Sequence, residues 1–337
     1  MTHPLDPIRI CIVGAGAIGG LIGARLAAAG LGPVHALARG ATRDALVRHG
    51  WRLDTADGAL QVPAGRVSDR ADDLGPQDLV VIAVKGPALP EVARRIGPLI
   101  GPRTVVLTAM NGVPWWFCAH LPGIGTLESV DPGGAVARAL PASQVLGCVV
   151  HASASVSEPG RVLHRMGRGL IVGAPAGGED ARARAVVARL AHAGFEATFT
   201  DDVRRDIWYK LWGNLTMNPV SALTGATVDR VLADPLVRGF CSAAMAEAAE
   251  VGARIGCPIA QTPEDRHAIT ARLGAFRTSM LQDVEAGRPI ELDAIVGAVR
   301  ELGQRTGVPT PSIDALLGLT RLFARTRGLL PDAAPVA

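Results

Sequence analysis

Ile8-Arg-Ile-Cys-Ile-Val-Gly14-Ala-Gly16-Ala-Ile-Gly19 joins a short β-branched run to three glycines, and an alanine-rich helical segment follows to about Ala29. G-x-G-x-x-G between a strand and a helix marks a dinucleotide phosphate site. Each glycine has its own task. Gly14 permits the turn, Gly16 lets the backbone approach a pyrophosphate, and Gly19 allows close helix–strand packing. The phosphates would rest on the helix N-terminus beside Ala17 and Ile18, where unpaired N–H groups and the positive dipole end face them.

The neighbouring segments extend this α/β pattern. A strand from about Pro33 to Ala38 should end at the residue that reads the adenosine ribose. An NAD site usually has Asp or Glu about 20 residues past the glycines. Leu37-Ala-Arg39-Gly-Ala-Thr-Arg43 has no acid there. A guanidinium pairs with a 2′-phosphate that a carboxylate would repel. Arg39 therefore points to NADP(H), with Arg43 as a helper, against the plainer reading of a solvated loop arginine.

Asp78-Leu-Val-Val-Ile-Ala-Val84 is a continuous apolar run of the kind buried in a parallel sheet. Lys85 follows it at the edge where open α/β sheets bind ligands. Arg103 to Thr108 is the next strand, and Met110-Asn-Gly-Val113 follows. Asn111-Gly112 reads either as a turn or as a second ligand-facing strand end. Shorter strands are expected at Val145–Val156, Arg161–Met166 and Gly169–Val172, with a turn at Glu158-Pro-Gly160. A helix from Glu179 to Ala193 and a last strand at Glu196–Phe199 complete the domain. The fold expected for residues 1–200 is a Rossmann-type domain with a mostly parallel sheet.

Residues 201–337 read as an all-α domain. Helices are expected at about 201–222, 235–255, 263–286, 291–306 and 312–326, with a frayed tail from Pro331 to Ala337. The first helix contains Trp208-Tyr-Lys-Leu-Trp-Gly-Asn-Leu-Thr-Met-Asn218, closed by Pro219. Trp208, Leu211, Trp212 and Leu215 recur at the spacing of a buried stripe. Lys210, Asn214 and Asn218, at i, i+4 and i+8, form a row on the neighbouring face. That row is either the polar edge of an amphipathic helix or the lining of a cleft.

Composition narrows the function classes. The 337 residues are 48% hydrophobic and 19% charged, enough for two packed domains. The net charge of +3 is small and its arginines are dispersed, so nothing argues for a nucleic-acid partner. Five separated cysteines without a Cys-x-x-Cys pair fit reduced thiols and no metal site. The start lacks the basic and apolar regions of a secretory signal, and no apolar run reaches membrane-spanning length. A cytoplasmic protein with no membrane partner is expected.

Taken together, these residues resemble the ketopantoate reductase (2-dehydropantoate 2-reductase) family. The resemblance rests on Gly14 to Gly19, Lys85, Met110-Asn-Gly112, Lys210-Leu-x-x-Asn214-x-x-x-Asn218-Pro-x-Ser-Ala-Leu-Thr224, and Ser279-Met-Leu-Gln-Asp283 followed by Glu291-Leu-Asp293. It implies NADPH-dependent reduction of a 2-oxo acid in a cleft between the two domains, with pantoate as the defining product. It also implies a homodimer; closure of the two domains on their ligands is expected, with a hinge near residues 200–206. Hydride attack on a carbonyl builds charge on its oxygen, so a positioned acid must donate a proton. Lys210 can do so as an ammonium. By resemblance, Glu291 is the active-site carboxylate that holds the substrate hydroxyl and partners the lysine. Asn111, Asn214, Asn218 and Ser279 orient the substrate, Asn111 also on the nicotinamide side, and Lys85 contacts the cofactor. Asp283 and Asp293 are read as capping or structural pairing.

Two features depart from the family pattern. Phe276 stands where one branch of the family has a substrate-touching Asn, and Trp115-Trp116 follow the Asn111 loop. Both are either core packing or walls of a pocket for a more apolar or aromatic 2-oxo acid. Two other readings compete. A β-hydroxyacid dehydrogenase also places Lys-x-x-x-Asn on a helix after a Rossmann domain, but Ser279, Glu291 and Asn111-Gly112 argue against it. A non-enzymatic NADP(H) sensor would need the glycine turn but has no use for Lys210, Asn214, Asn218 and Glu291.

Overall fold

The computed structural model describes residues 4–331; the expected tail beyond Pro331 lies outside the described residues. The chain divides into two compact units, one of residues 1–110 and 134–204, the other of residues 111–133 and 205–337. The sequence reading kept 111–133 in its first domain. In the structure this segment is held by the helical unit: the Val113 amide donates to Ala294 O at 2.8 Å, and the Phe117 and Trp208 rings lie 6.0 Å apart. These partners are far away in sequence, so no local pattern marks the excursion.

The first unit is built on a ten-stranded sheet. β1 (Ile10–Val13) lies between β2 (Val34–Leu37) and β6 (Gln77–Ile82), parallel to both. β7 (Ile100–Thr108) and the start of β8 (Val145–Glu158) continue the parallel array beyond β6. Ile10, Cys11 and Ile12 are fully buried, as a continuous apolar run requires.

On the other side of β8 the sheet turns antiparallel. The runs read as two strands at Arg161–Met166 and Gly169–Val172 are one strand, β9 (Arg161–Gly173), whose register against β8 shifts between His151 and Ser153. On its far edge β9 has two partners. β3 (Trp51–Thr55) pairs with its beginning and β10 (Glu196–Phe199) with its end. β3 forms an antiparallel hairpin with β4 (Gly58–Val62), which the sequence reading missed because β4 is largely solvent-facing. β5 (Val67–Ser68), also missed, has only two residues, paired with β2.

α1 (Ala17–Ala28) crosses the sheet very closely. A Cβ on Gly20 would meet Val162 at 2.5 Å, and one on Gly23 would meet the Trp51 indole at 2.6 Å. The glycines cost helix propensity of about 1 kcal/mol each, but they admit the side chains that fill this core. α2 (Gly40–His49), α3 (Leu89–Arg95), α4 (Ala135–Ala139) and α5 (Ala181–His192) complete the unit. Asp180 sets the start of α5 by accepting from the Arg182 and Ala183 amides.

The second unit contains no strand among its described residues. α6 (Val203–Thr224), which begins within the last two residues of the first unit, carries Pro219 in its interior and closely matches the helix expected over 201–222. A helix-interior proline costs about 3 kcal/mol. Met217, Val220 and Ala222 are buried on either side of it, so packing outweighs that cost. α7 (Val228–Ala233), short and unforeseen, leads to α8 (Pro235–Arg254), capped by Asp234. The helix expected over 263–286 is two helices. α9 (Pro263–Ala271) begins on a Thr262–Asp265 capping box, and α10 (Ser279–Glu285) begins on Thr278, whose hydroxyl accepts from the Leu281 amide. The stretch expected at 291–306 starts as a π-helical turn, Asp293–Gly297, before α11 (Ala298–Thr306). α12 (Pro311–Thr326) closes the unit, and Glu247 accepts from two amides at its start. No described helix is long and apolar enough to cross a membrane.

Candidate active site

In the first unit the glycine turn has the shape a pyrophosphate needs. Gly14 follows β1 with φ +89°, and a Cβ there would sit 2.5 Å from Val84. A Cβ on Gly19 would lie 2.0 Å from Gly14 O, so only glycine lets α1 approach the turn. Gly16 differs from both: a Cβ there meets nothing within 4 Å. Two glycines are required by packing, and the third keeps a surface clear for a ligand at the start of α1, where Ala17 and Ile18 lie. This turn fits a dinucleotide.

Arg39 and Lys85 stand at the same edge, because β1, β2 and β6 are parallel and each residue follows the end of its strand. Arg39 is 75% exposed, and its Nη1 lies 3.4 Å from Glu91 on α3. Arg43 is already engaged with Asp44 and Asp69 at 2.8 and 2.9 Å. Exposed and held by one carboxylate at 3.4 Å, Arg39 is the better suited to a phosphate, since Arg43 is engaged more tightly by two. Glu91, 52 residues from Arg39, had no sequence signal.

In the second unit the two rows on α6 separate as their periodicity requires. Trp208, Leu211, Trp212 and Leu215 are 0–3% exposed. Lys210 and Asn214 are half-buried and Asn218 is buried, with an Nδ2 that meets no hydrogen-bond partner. Lys210 Nζ donates to Asn111 Oδ1 at 2.9 Å. The structure thus unites two residues that sequence spacing left 99 positions apart.

Asn111 is held in place by the residue after it. Gly112 has φ +78°, and a Cβ on it would lie 2.6 Å from Ala294 O. Ala294 belongs to the π-helical turn that starts two residues after Glu291, which is half-buried. The loop carrying Asn111 and the segment carrying Glu291 are therefore joined backbone to backbone. Ser279 lies exposed at the start of α10. Asp283 is occupied by Arg288 at 2.9 Å.

The departures from the family pattern are also placed. Trp115 and Trp116 are 4% and 1% exposed, inside the core. Phe276 packs against the cluster of Met217, Val220, Val228 and Leu316. No group of three or more His, Cys, Asp and Glu among the described residues is arranged to hold a metal ion.

The family models of ketopantoate reductase PanE/ApbA match this chain twice, the main model over residues 10–177 and its C-terminal counterpart over residues 202–324. The chain belongs to the ketopantoate reductase family. It is 41% identical to a 2-dehydropantoate 2-reductase of Mesorhizobium japonicum, over 95% of this chain and 99% of the relative. A crystal structure of a candidate ketopantoate reductase from Ralstonia solanacearum MolK2 superimposes with a TM-score of 0.92 at 55% identity, covering 96% of this chain and 100% of that one. The 2-dehydropantoate 2-reductase of Geobacter metallireducens GS-15 matches with a TM-score of 0.81 at 28% identity, over 94% and 99% of the two chains. As a ketopantoate reductase family member the chain is an oxidoreductase acting on CH–OH groups, with NADP(H) as its cofactor.

Proposed function

We propose that the chain reduces 2-dehydropantoate to pantoate, with Lys210 as the proton donor. The observation that carries this reading is the Lys210 ammonium, seated at 2.9 Å on Asn111 and followed along its helix by Asn214 and Asn218. NADPH, when bound, supplies the hydride that adds to the carbonyl carbon. As the carbon–oxygen π pair moves onto oxygen, Lys210 Nζ neutralises the charge and passes it a proton, giving the hydroxyl. Asn111 fixes the direction of the ammonium before substrate arrives. Asn214, Asn218 and Ser279 orient the substrate, and Glu291 holds its hydroxyl and partners Lys210. Gly14, Gly16, Ala17, Ile18 and Gly19 hold the pyrophosphate, Arg39 the 2′-phosphate, and Lys85 and Asn111 the rest of the cofactor.

Trp115 and Trp116 are buried and Phe276, partly buried, is packed against an apolar cluster, which supports the compact branched acid over an aromatic one. Nicotinamide absorbance, followed with NADPH or NADH and either ketopantoate or a bulky aromatic 2-oxo acid, tests the reading. NADPH-selective turnover of ketopantoate is expected. Turnover of the aromatic acid alone would assign a different substrate. A cytoplasmic homodimer is part of the same proposal, and sedentation of the purified protein by analytical ultracentrifugation tests its dimeric state.

A further inference from the structure

The π-helical turn Asp293–Gly297 opens the helical stretch that continues as α11. Such turns are rare and occur frequently at functional sites. This one contains no proline to force a distortion, so its cause lies in what it touches.

The turn changes the fate of one carbonyl. In a regular helix the Ala298 amide would donate to Ala294 O, four residues back. Here it donates to Asp293 O, five residues back. Ala294 O accepts from outside the helix, from the Val113 amide at 2.8 Å. Ala294 also bounds Gly112 with two of its groups. A Cβ on Gly112 would lie 2.6 Å from the Ala294 carbonyl oxygen and 2.7 Å from its methyl. Gly112 and Val113 directly follow Asn111, whose Oδ1 receives the Lys210 ammonium at 2.9 Å.

The same helical stretch holds the later part of the 111–133 segment. Glu301 accepts the Glu128 and Ser129 amides at 2.9 and 2.8 Å, and Arg305 donates to Ile124 O. The segment is thus fastened twice to one stretch of helix. The Ala294 fastening is the one beside the residue that touches Lys210.

We infer that Ala294 is a positioning residue for the reduction: its carbonyl, turned out of the helix by the π-turn, seats the Asn111 loop and through it aims the Lys210 ammonium. The inference rests on the proposed role of Lys210 as proton donor. A misplacement of about 1 Å at a reacting group can cost about 10²-fold in rate, so the bond that seats Asn111 has leverage on turnover.

The test removes that bond and keeps every side chain, by replacing the Val113 amide N–H with an ester oxygen. Ala294→Val is the second variant, since its branched side chain grows from the methyl that bounds Gly112. Both should lower kcat roughly 10–100-fold, with the KM for NADPH changed far less. In an Asn111→Ala background neither change should lower kcat further, because each acts through Asn111. A folded ester variant with wild-type kcat would overturn the inference. So would a loss that adds in full to that of Asn111→Ala, the mark of a merely structural contact. If the ester variant does not fold, Ala294→Val decides by the same two criteria. If wild type turns over no 2-oxo acid, the proposed reaction itself fails. The nitrogen-15 signal of the Lys210 ammonium then decides the positioning separately. A shift in the variants that matches the shift in Asn111→Ala upholds it, and a signal unchanged from wild type sinks it.

Discussion

Lys210 Nζ donates a 2.9 Å hydrogen bond to Asn111 Oδ1, and the two residues are 99 positions apart in the chain. Lys210→Ala should lower kcat by roughly 10²–10⁴-fold, the range for a lost proton donor, and leave the NADPH dissociation constant nearly unchanged. Steady-state kinetics together with nucleotide titration separates the two effects. A variant that lost only substrate affinity would refute the proton-donor role.

Gly112 is what lets Asn111 reach that position. Its φ of +78° and the 2.6 Å approach of a Cβ to Ala294 O mean that Gly112→Ala must shift the loop. Backbone strain of this kind costs about 1–3 kcal/mol. The expected outcome is a lowered Tm and a kcat reduced towards that of Asn111→Ala, with the glycine-turn unit still binding NADPH. A kcat equal to wild type would show that the loop position is irrelevant to turnover.

The residues that were readable from sequence are those whose geometry is local. Gly14 to Gly19 form one turn, and the stripe and row on α6 follow from its period of 3.6 residues. What sequence did not reveal depends on distant partners. Residues 111–133 join the helical unit through Ala294 and Trp208, the pairing of Arg39 with Glu91 spans 52 residues, and Arg266 reaches Tyr209 and Gly213 from another helix. Pro219 sits inside α6 for a related reason. Its local preference is to end a helix, and only the burial of Met217, Val220 and Ala222 overrides that preference.

The three turn glycines should respond differently to the same substitution. Gly19→Ala places a Cβ 2.0 Å from Gly14 O and should destabilise the first unit by several kcal/mol, since an overlap with backbone cannot relax by a rotamer change. Gly16→Ala meets no protein atom within 4 Å. It should fold with a Tm near wild type yet bind NADPH much more weakly, because the methyl occupies the surface the pyrophosphate needs. Thermal unfolding and fluorescence titration of the two variants would show the contrast. Normal NADPH binding by Gly16→Ala would remove the turn from the cofactor site.

Arg39 is held at 3.4 Å by Glu91, and both groups are well exposed. The pair is worth at most about 1 kcal/mol, so it yields to a bound phosphate but competes with it. Arg39→Ala should lower the preference for NADPH over NADH by roughly 10–100-fold. Glu91→Gln should raise it by up to about fivefold. In the double variant the Glu91 effect should vanish, since it acts only through the guanidinium. Ratios of kcat/KM for the two cofactors across the four proteins test this, and a Glu91 effect that persists without Arg39 would assign it another target.

Glu301 should make the helical unit acid-sensitive. Its side chain is only 16% exposed and accepts the Glu128 and Ser129 amides at 2.9 and 2.8 Å, tying the end of the Asn111 segment to α11. Burial pushes the carboxyl up, but the Ser129 and Glu128 hydrogen bonds and the Arg305 charge outweigh it, leaving the group below its usual range. A carboxylate depressed in the folded state stabilises that state above its unfolded pKa of about 4.3, and the stabilisation disappears as the pH falls through the lower folded value. Glu301→Gln should therefore be less stable than wild type at neutral pH, by about 1–3 kcal/mol. The gap should close as both proteins are taken towards about pH 3. Urea unfolding of the pair across that range provides the measurement. A gap that stays constant with pH would mean that Glu301 acts by packing alone and that its charge contributes nothing to holding the loop.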